Sequence, residues 1–295
     1  MMGRVTRFLG ALCAAIAATA VFTSPARAEP AMWVVRDADS TLYLFGTMHV
    51  LKPDLQWRTP AIDKALADAG EVWLEIDAEA AENPAAIQPY MDLLLDPVTP
   101  LSKRLPPDVY ARYADMAARA GLPPPMVEPM RTWLAAVTLS LTVMNKAGYK
   151  EASGVDRAIA KDRGGRPLRT LETLGGQLGF LGSLPEAQQQ ALLVDTLDQL
   201  AKPGYVDDLV AAWAAGDVGT LDALYLADMR TRFPEAYAVF LTRRNAAWVE
   251  TLAKELAGAG TDFVAVGALH LVGPDSVPAM LKARGFTVEQ VTGKK

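Results

Sequence analysis

Two nine-residue stretches of the chain share one pattern. Residues 46–54 read GTMHVLKPD, and residues 267–275 read GALHLVGPD. In both, a Gly is followed three residues later by a His and then by a Pro-Asp pair, and each stretch comes directly after an apolar run. The chain has only two histidines, His49 and His270, and these stretches contain both. Because histidine ionises near neutral pH and is the commonest protein metal ligand, the pairing indicates that the two imidazoles work together.

The apolar runs predict strands, and the residues that follow several of them predict helices. Thr59 and Pro60 are typical of a helix start, and Asp275 is a candidate cap for a helix through Arg284. We expect an α/β (α+β) fold with one mixed central sheet formed from the N- and C-terminal segments and a large helical insertion over about residues 84–258. Strands are predicted at residues 32–36, 41–45, 71–77, 166–171, 263–266 and 286–291.

The first 28 residues have the pattern of a secretory signal peptide. Arg4 and Arg7 form a basic start, residues 8–22 are apolar, and an A-x-A site ends at Ala28. The apolar run is shorter than the ~20 residues that a membrane-spanning helix needs, so no stable membrane span is expected after cleavage. We therefore predict a single periplasmic or secreted domain over residues 29–295.

Charge and cysteine content narrow the classes of partner and chemistry. The formal net charge is −5, and removal of the signal peptide, which holds three Arg and no acid, would make it −8. A negative chain is a poor match for nucleic acid, so no nucleic-acid partner is expected. The single cysteine, Cys13, lies in the predicted signal peptide. The mature chain would therefore contain no disulfide, thiolate metal ligand or cysteine nucleophile.

The paired stretches predict a site at one edge of the sheet. Gly46 and Gly267 permit sharp turns at two strand ends, which would leave both histidines at the carboxyl edge, where open α/β sheets bind ligands. Glu75 and Asp77 share one face at the end of the predicted strand 71–77, at the same edge. The alternatives are histidines that cap a helix or fill the core, and carboxylates that are solvated on an edge strand.

Four further residues are candidates. Glu172 follows a predicted strand, and Asp156 lies near a helix start, where capping is the ordinary role of an aspartate. Arg244 and Asn245 precede Trp248 on a predicted helix; the arginine could hold a carboxylate or an anionic substrate group, or a solvated helix face could carry it. The motifs H-E-x-x-H, G-x-S-x-G and G-x-x-x-x-G-K-[ST] are absent from the sequence.

These residue types allow two kinds of chemistry. Two histidines with one or two carboxylates could hold Mn²⁺, Co²⁺ or Zn²⁺, and the ion would activate a bound water for attack. Without a metal, one histidine could act as a general base that a carboxylate orients.

Several segments resemble the TraB/GumN (TraB/PrgY/GumN, Tiki-like) family over nearly the whole mature chain. The resemblance implies an α/β core with a helical insertion and, as attributed to the Tiki branch, metal-dependent proteolysis. It implies His49, His270 and Glu75 as site residues, and as lesser candidates Glu172, Asp156, Arg244 and Asn245. The wider superfamily is similar to erythromycin esterases, which use His and Glu without needing a metal, and to haem-iron-binding lipoproteins. The segments that carry the resemblance are residues 42–49, 72–77, 154–156, 171–177, 244–248 and 264–273.

We therefore expect an exported hydrolase, a metal-dependent peptidase that acts on a peptide or another small substrate. The expected metal ligands are His49, His270, Glu75 and Asp77. Catalytic roles are expected for Glu75, Glu172, Arg244 and Asn245, with Asp156 as a lesser candidate. The alternative is a non-catalytic binding protein for a metal, haem or a cell-envelope glycan.

Overall fold

Six strands form one mixed sheet in the computed structural model, which describes residues 28–77, 79 and 83–291. The strand order is β4-β3-β5-β2-β1-β6. Only β1 runs against its neighbours, and the other pairs are parallel. The predicted α/β fold with a mixed sheet is confirmed, although β4 comes from the helical insertion. The strands are β1 (Met32–Arg36), β2 (Ser40–Thr47), β3 (Glu71–Leu74), β4 (Leu168–Thr170), β5 (Gly260–Gly267) and β6 (Thr287–Val291).

Helices cover both faces of the sheet and form most of the insertion. Within the described ranges, no helix combines the length and the apolar character that a membrane crossing requires. The longer helices are α1 (Pro60–Asp68), α2 (Pro107–Ala120), α3 (Thr132–Lys146), α4 (Val155–Asp162), α5 (Leu174–Gly182), α6 (Glu186–Ala201), α7 (Tyr205–Ala214), α8 (Arg243–Leu256) and α9 (Val277–Ala283).

Shorter helical segments connect these elements. Two of them, Asp222–Leu226 and Ala238–Thr242, are π-helical turns. The others are Pro84–Ile87, Gln88–Tyr90, Met91–Leu94, Leu101–Arg104, Pro124–Val127, Glu151–Ser153, Val218–Leu221, Ala227–Arg232, Pro234–Tyr237 and Ala268–Leu271.

The parallel pairing of β2 with β5 brings the two nine-residue stretches together. Thr47, the last residue of β2, lies opposite Gly267, the last residue of β5. Because the two strands run in the same direction and end in register, the chain leaves both of them at one edge of the sheet. The two nine-residue stretches, which are more than two hundred positions apart in sequence, therefore start next to each other in space.

The sheet is buried on both faces by packed helices. Phe45 and Phe263 lie on the face that packs against α1, α4 and α7, with ring centroids 5.9 Å apart. Leu44 and Val264 lie on the opposite face, against α8 and α9. The insertion has a core of its own, in which α2, α3 and α6 pack together. Strand residues alternate between the two faces, as the sheet geometry requires.

Several predicted boundaries are wrong. Strand β3 ends at Leu74 rather than Asp77, and the Glu75 carboxylate just after it accepts a hydrogen bond from the Gly267 N–H at 2.7 Å. Strands β2 and β5 are longer than predicted, and β4 and β6 are shorter. Helix α9 is capped by Ser276, whose Oγ accepts from the Ala279 N–H at 3.3 Å, rather than by Asp275. By contrast, the predicted start of α1 is confirmed, since the Thr59 side chain accepts from the Ile62 N–H at 3.2 Å.

The predicted signal peptide, residues 1–28, lies outside the described residues except for Ala28. Glu29, the expected first residue of the mature chain, donates its backbone N–H to the carbonyl oxygen of Ala214 at 2.7 Å. This bond attaches the start of the domain to the end of α7.

Gly154 is needed where α4 meets the His49 loop. A Cβ on Gly154 would collide with the carbonyl oxygen of His49, which belongs to the backbone and has little room to move. We expect Gly154→Ala to lower the free energy of unfolding by about 1–3 kcal/mol, as overpacking does. Gly179→Ala is the matched control, because a Cβ there meets nothing within 4 Å and should stabilise α5 by up to ~1 kcal/mol. Urea unfolding measures both variants, and equal effects of the two would contradict the steric explanation.

Candidate functional site

Three of the predicted site residues meet around Gly267. A Cβ built on this glycine would lie 3.1 Å from Glu75 Oε1, 3.6 Å from His270 Cδ2 and 3.9 Å from His49 Nε2. The φ angle of Gly267 is −48°, an ordinary value, so its role is to leave room rather than to adopt a special backbone conformation. The two imidazoles and the strand carboxylate thus converge at the carboxyl edge, as the paired stretches predict.

Arg244 lies at the centre of the buried part of this cluster. Its Nε donates to Glu172 Oε1 at 2.7 Å, and its Nη2 donates to Glu75 Oε2 at 2.7 Å and to Glu172 Oε2 at 3.0 Å. Its Nη1 donates to the Phe240 carbonyl oxygen at 3.2 Å and to His270 Nε2 at 3.1 Å. A guanidinium has five N–H donors, and all five are used here. Burial lowers the pKa of Arg244, but the two carboxylates raise it more, so the side chain stays charged.

Glu75 is a buried carboxylate with a donor on each oxygen. Oε1 accepts from the Gly267 N–H at 2.7 Å, and Oε2 accepts from Gln177 Nε2 at 3.1 Å as well as from Arg244. Burial would raise the pKa of Glu75, but the charges of Arg244 and His49 and the hydrogen bond from the Gly267 N–H lower it well below its ordinary value. Glu75 is therefore ionised at neutral pH.

His270 is held in one tautomer by its neighbours. Since Nε2 accepts from Arg244, the proton is on Nδ1, which donates to Asn245 Oδ1 at 2.6 Å. Asn245 is oriented in turn by its Nδ2, which donates to the Asp275 carbonyl oxygen at 2.7 Å. The ring also packs on Trp248, with centroids 4.3 Å apart. Burial, assisted by the charge of Arg244, lowers the pKa of His270 to about 3, so this imidazole is neutral.

His49 has the opposite environment. Its side chain is 65% exposed, and its Nδ1 lies 3.0 Å from Asp156 Oδ1 in the first turn of α4. Desolvation by the surrounding groups lowers the pKa of His49, but the charge of Asp156 and its hydrogen bond raise it to about 9. At neutral pH His49 is an imidazolium whose Nδ1–H donates to Asp156. Its Nε2 is left on the side of Gly267 and Glu75.

The arrangement does not fit the expected metal ion. Both nitrogens of His270 already have hydrogen-bond partners, and the Arg244 guanidinium supplies the positive charge between the carboxylates of Glu75 and Glu172. Asp77 lies outside this network, where its Oδ1 accepts from the Glu79 N–H at 3.1 Å. In residues 28–77, 79 and 83–291, no three His, Cys, Asp or Glu side chains group as metal ligands would. The geometry thus gives no support to a Mn²⁺, Co²⁺ or Zn²⁺ site.

The remaining predicted residues fall into two groups. Glu172, Arg244 and Asn245 form the buried framework, whereas Asp156, the lesser candidate, is the direct partner of His49. Asp156 was expected to serve the helix start, and the structure shows that the same first-turn position also faces the His49 loop.

Two contributors were not predicted as site residues. Gln177 donates to Glu75, and Trp248 Nε1 donates to Glu172 Oε1 at 2.9 Å. A signal existed for Trp248, because it is four residues after Arg244 and so shares its face of the helix; the guanidinium lies 4.9 Å from its ring centroid. The π-helical turn Ala238–Thr242 directly precedes α8 and includes Phe240, whose carbonyl oxygen accepts from Arg244.

Loss of the guanidinium should be costly. In Arg244→Met, the buried carboxylates of Glu75 and Glu172 would lose their counter-charge, and we expect the free energy of unfolding to fall by about 3–5 kcal/mol. Arg244→Lys should recover little of this loss, since an ammonium cannot reproduce the planar fork. The matched control is Arg243→Met at the exposed neighbouring position, expected to change stability by at most ~0.5 kcal/mol. Chemical unfolding of the three variants provides the measurement, and similar losses for both methionine variants would contradict the assignment.

The two histidines should titrate far apart. In a ¹H–¹⁵N NMR titration of the imidazoles, we expect His49 to lose its proton near pH 9 and His270 to remain neutral from pH 5 to 10. The folded pKa of His49 lies above the ordinary value of ~6.5. Its ionisation therefore stabilises the fold below that pH, and this contribution is lost as the pH rises through about 9. Asp156→Asn should move the His49 titration down toward ~6.5, and an unmoved titration would show that the pair does not form.

Comparison with known proteins gives the chain a family. The model of the TraB/PrgY/gumN family matches residues 31–290. Two curated relatives, each titled uncharacterized protein YbaP and found in Escherichia coli (strain K12) and Shigella flexneri, are 25% identical over 255 residues. Each alignment covers 86% of this chain and 92% of the relative. No solved structure matches the chain with significance. Since the family model spans the sheet, the insertion and the site, the chain belongs to the TraB/PrgY/gumN family.

Proposed function

We propose that the protein is an exported hydrolase of carboxylic esters or amides that needs no metal for the reaction at this site. The observation that carries the proposal is the pair of His49 Nδ1 and Asp156 Oδ1, 3.0 Å apart, with the second ring nitrogen on the side of Glu75. A carboxylate that orients an imidazole while the other nitrogen faces the reaction space is the arrangement of a general base. Export rests on the signal-peptide pattern of residues 1–28.

The two halves of the site would divide the work. The side chains of Arg244, Glu172, Glu75 and His270 are buried and hydrogen-bonded to one another, so they form a preorganised framework in which Glu75 stays ionised and His270 stays neutral near neutral pH. His49 is the exposed group, and it is the one that gains or loses a proton in the working range. Proton transfer is therefore assigned to His49.

The reaction can be written with its protons balanced. A water beside His49 transfers a proton to Nε2 as its oxygen bonds to the carbonyl carbon of the substrate. Asp156 stabilises the imidazolium that forms. When the bond to the alkoxide or amine breaks, Nε2 returns the proton to the leaving group. Glu75 Oε1 has the Gly267 N–H as its one hydrogen-bond donor among the described residues, and its second lone pair would orient the water.

The non-catalytic alternative predicts a different use of the histidines. A haem or metal carrier would need imidazole nitrogens as ligands, and both nitrogens of His270 are already hydrogen-bonded. Only His49 Nε2 has no hydrogen bond from the described residues. Because one imidazole nitrogen is available where a two-histidine carrier would need two, the hydrogen bonds favour the hydrolase.

Turnover by purified protein tests the proposal. We expect hydrolysis of p-nitrophenyl acetate at a rate that rises with pH and levels above about 9, because the base form of His49 is required. His49→Asn should lower kcat by about 10²–10⁴-fold, and Asp156→Asn should move the pH midpoint downward. Asp162→Asn, on the same helix but paired with Arg58, is the matched control and should leave the rate unchanged.

Two outcomes would overturn the assignment. Loss of activity on treatment with EDTA, with recovery on addition of Zn²⁺ or Mn²⁺, would restore the metal-dependent mechanism. A complete lack of ester and peptide hydrolysis, together with a visible chromophore or a retained metal, would favour the carrier.

A further inference from the structure

Helix α5 lies directly beside the reactive edge. Its Gln177 side chain donates to Glu75 Oε2 at 3.1 Å. The helix reads LGGQLGFLG, without a charged residue, and none of its nine residues is buried. A helix this apolar is ordinarily covered, so its partial exposure next to the site requires an explanation.

Two sides of α5 are already occupied by protein. A Cβ on Gly175 would lie 2.6 Å from the ring atoms of Tyr90, and one on Gly182 would lie 3.4 Å from Trp133 Nε1. Phe180 packs into a small apolar cluster with Leu184. The glycines and the phenylalanine therefore account for how the helix is seated.

The leucines of α5 are on a third side. Leu174, Leu178 and Leu181 are only partly buried and belong to none of the four apolar clusters found among the described residues. Leu174 is three residues before Gln177 and Leu181 is four residues after it, which places both on the face of the residue that touches Glu75. An apolar stripe thus runs up to the carboxylate.

A neighbouring segment extends this stripe. Met91–Leu94 packs against α5. Ile87, Met91 and Leu94 are only partly buried and, like the leucines, lie outside those four clusters. We call these three residues, with Leu174, Leu178 and Leu181, the apolar wall. Apolar side chains that keep some solvent exposure beside a polar site are typical of the lining of a ligand-binding groove.

We infer that the apolar wall binds the hydrocarbon part of the acyl group, so that the substrate class is an ester or amide of a medium-chain or similarly apolar acid. This inference rests on the proposed hydrolase function. Its argument is continuity: Gln177 connects the wall to the Glu75 carboxylate, and His49 Nε2 lies on the other side of Glu75 Oε1 across Gly267. Helix α5 has no charge for an ionic chain, and its one polar side chain, Gln177, already donates to Glu75, so the helix offers few hydrogen-bonding groups to a glycan.

The test compares p-nitrophenyl acetate, butyrate and octanoate. Since each buried methylene favours binding, we expect kcat/KM to rise at least ~10-fold from acetate to octanoate. Leu174→Ser and Leu181→Ser should abolish most of that rise, so that the ratio of kcat/KM for octanoate to kcat/KM for acetate falls toward ~1. The matched control is Leu224→Ser, at a leucine 37% exposed in the segment Asp222–Leu226, outside the wall. No dependence on chain length in the active protein would overturn the inference.

A binding measurement tests the apolar wall independently of the proposed hydrolysis. The ketones 2-octanone and 2-butanone cannot be hydrolysed, and tryptophan fluorescence reports their binding to the full protein. We expect 2-octanone to bind at least ~10-fold more tightly, and Leu181→Ser to remove the difference. That result without ester hydrolysis would support the wall and refute the hydrolase. Hydrolysis of acetate without tighter binding of 2-octanone would refute the wall alone.

Discussion

The structure depends on one buried guanidinium. Arg244 uses all five of its N–H donors on Glu75, Glu172, His270 and the Phe240 carbonyl oxygen, and so it connects β3, the residue two positions after β4, the loop after β5, and α8. Two carboxylates at a sheet edge would repel each other and resist burial without a cation between them. The guanidinium offsets the cost of burying the Glu75 and Glu172 carboxylates, and its hydrogen bonds orient both of them.

The two histidines lie in matching stretches of sequence, but their imidazoles have different pKa values. Arg244 donates to His270 Nε2 within a buried cluster, where a second positive charge is unfavourable, and His270 is therefore neutral. His49 is exposed, and the Asp156 carboxylate favours its charged form. Identical side chains after similar turns thus become a fixed hydrogen-bond acceptor and a titrating group, because burial and the nearest charge set a pKa.

The site and its surroundings have one organisation. A charged, hydrogen-bonded framework occupies the sheet edge, His49 lies on its exposed side, and the partly buried leucines of α5 lie next to it. Gly267 leaves the space between the framework and His49 open, since any Cβ there would approach Glu75 Oε1. The proposed hydrolase of apolar acyl compounds would use each of these features.

Local pattern was sufficient to locate the strands: β1 has the predicted bounds, Met32–Arg36, the other five are found with altered ends, and the two stretches that follow β2 and β5 leave the sheet at one edge. Periodicity, caps and turn residues act over a few positions, so the sequence reveals them directly. Side-chain contacts between residues far apart in sequence produce no such local pattern. Asp156 lies 107 positions from His49, and Arg244 lies 169 from Glu75. Which histidine is charged, and whether the carboxylates face a metal or a guanidinium, depend on burial and neighbouring charge, which exist only once the chain has folded.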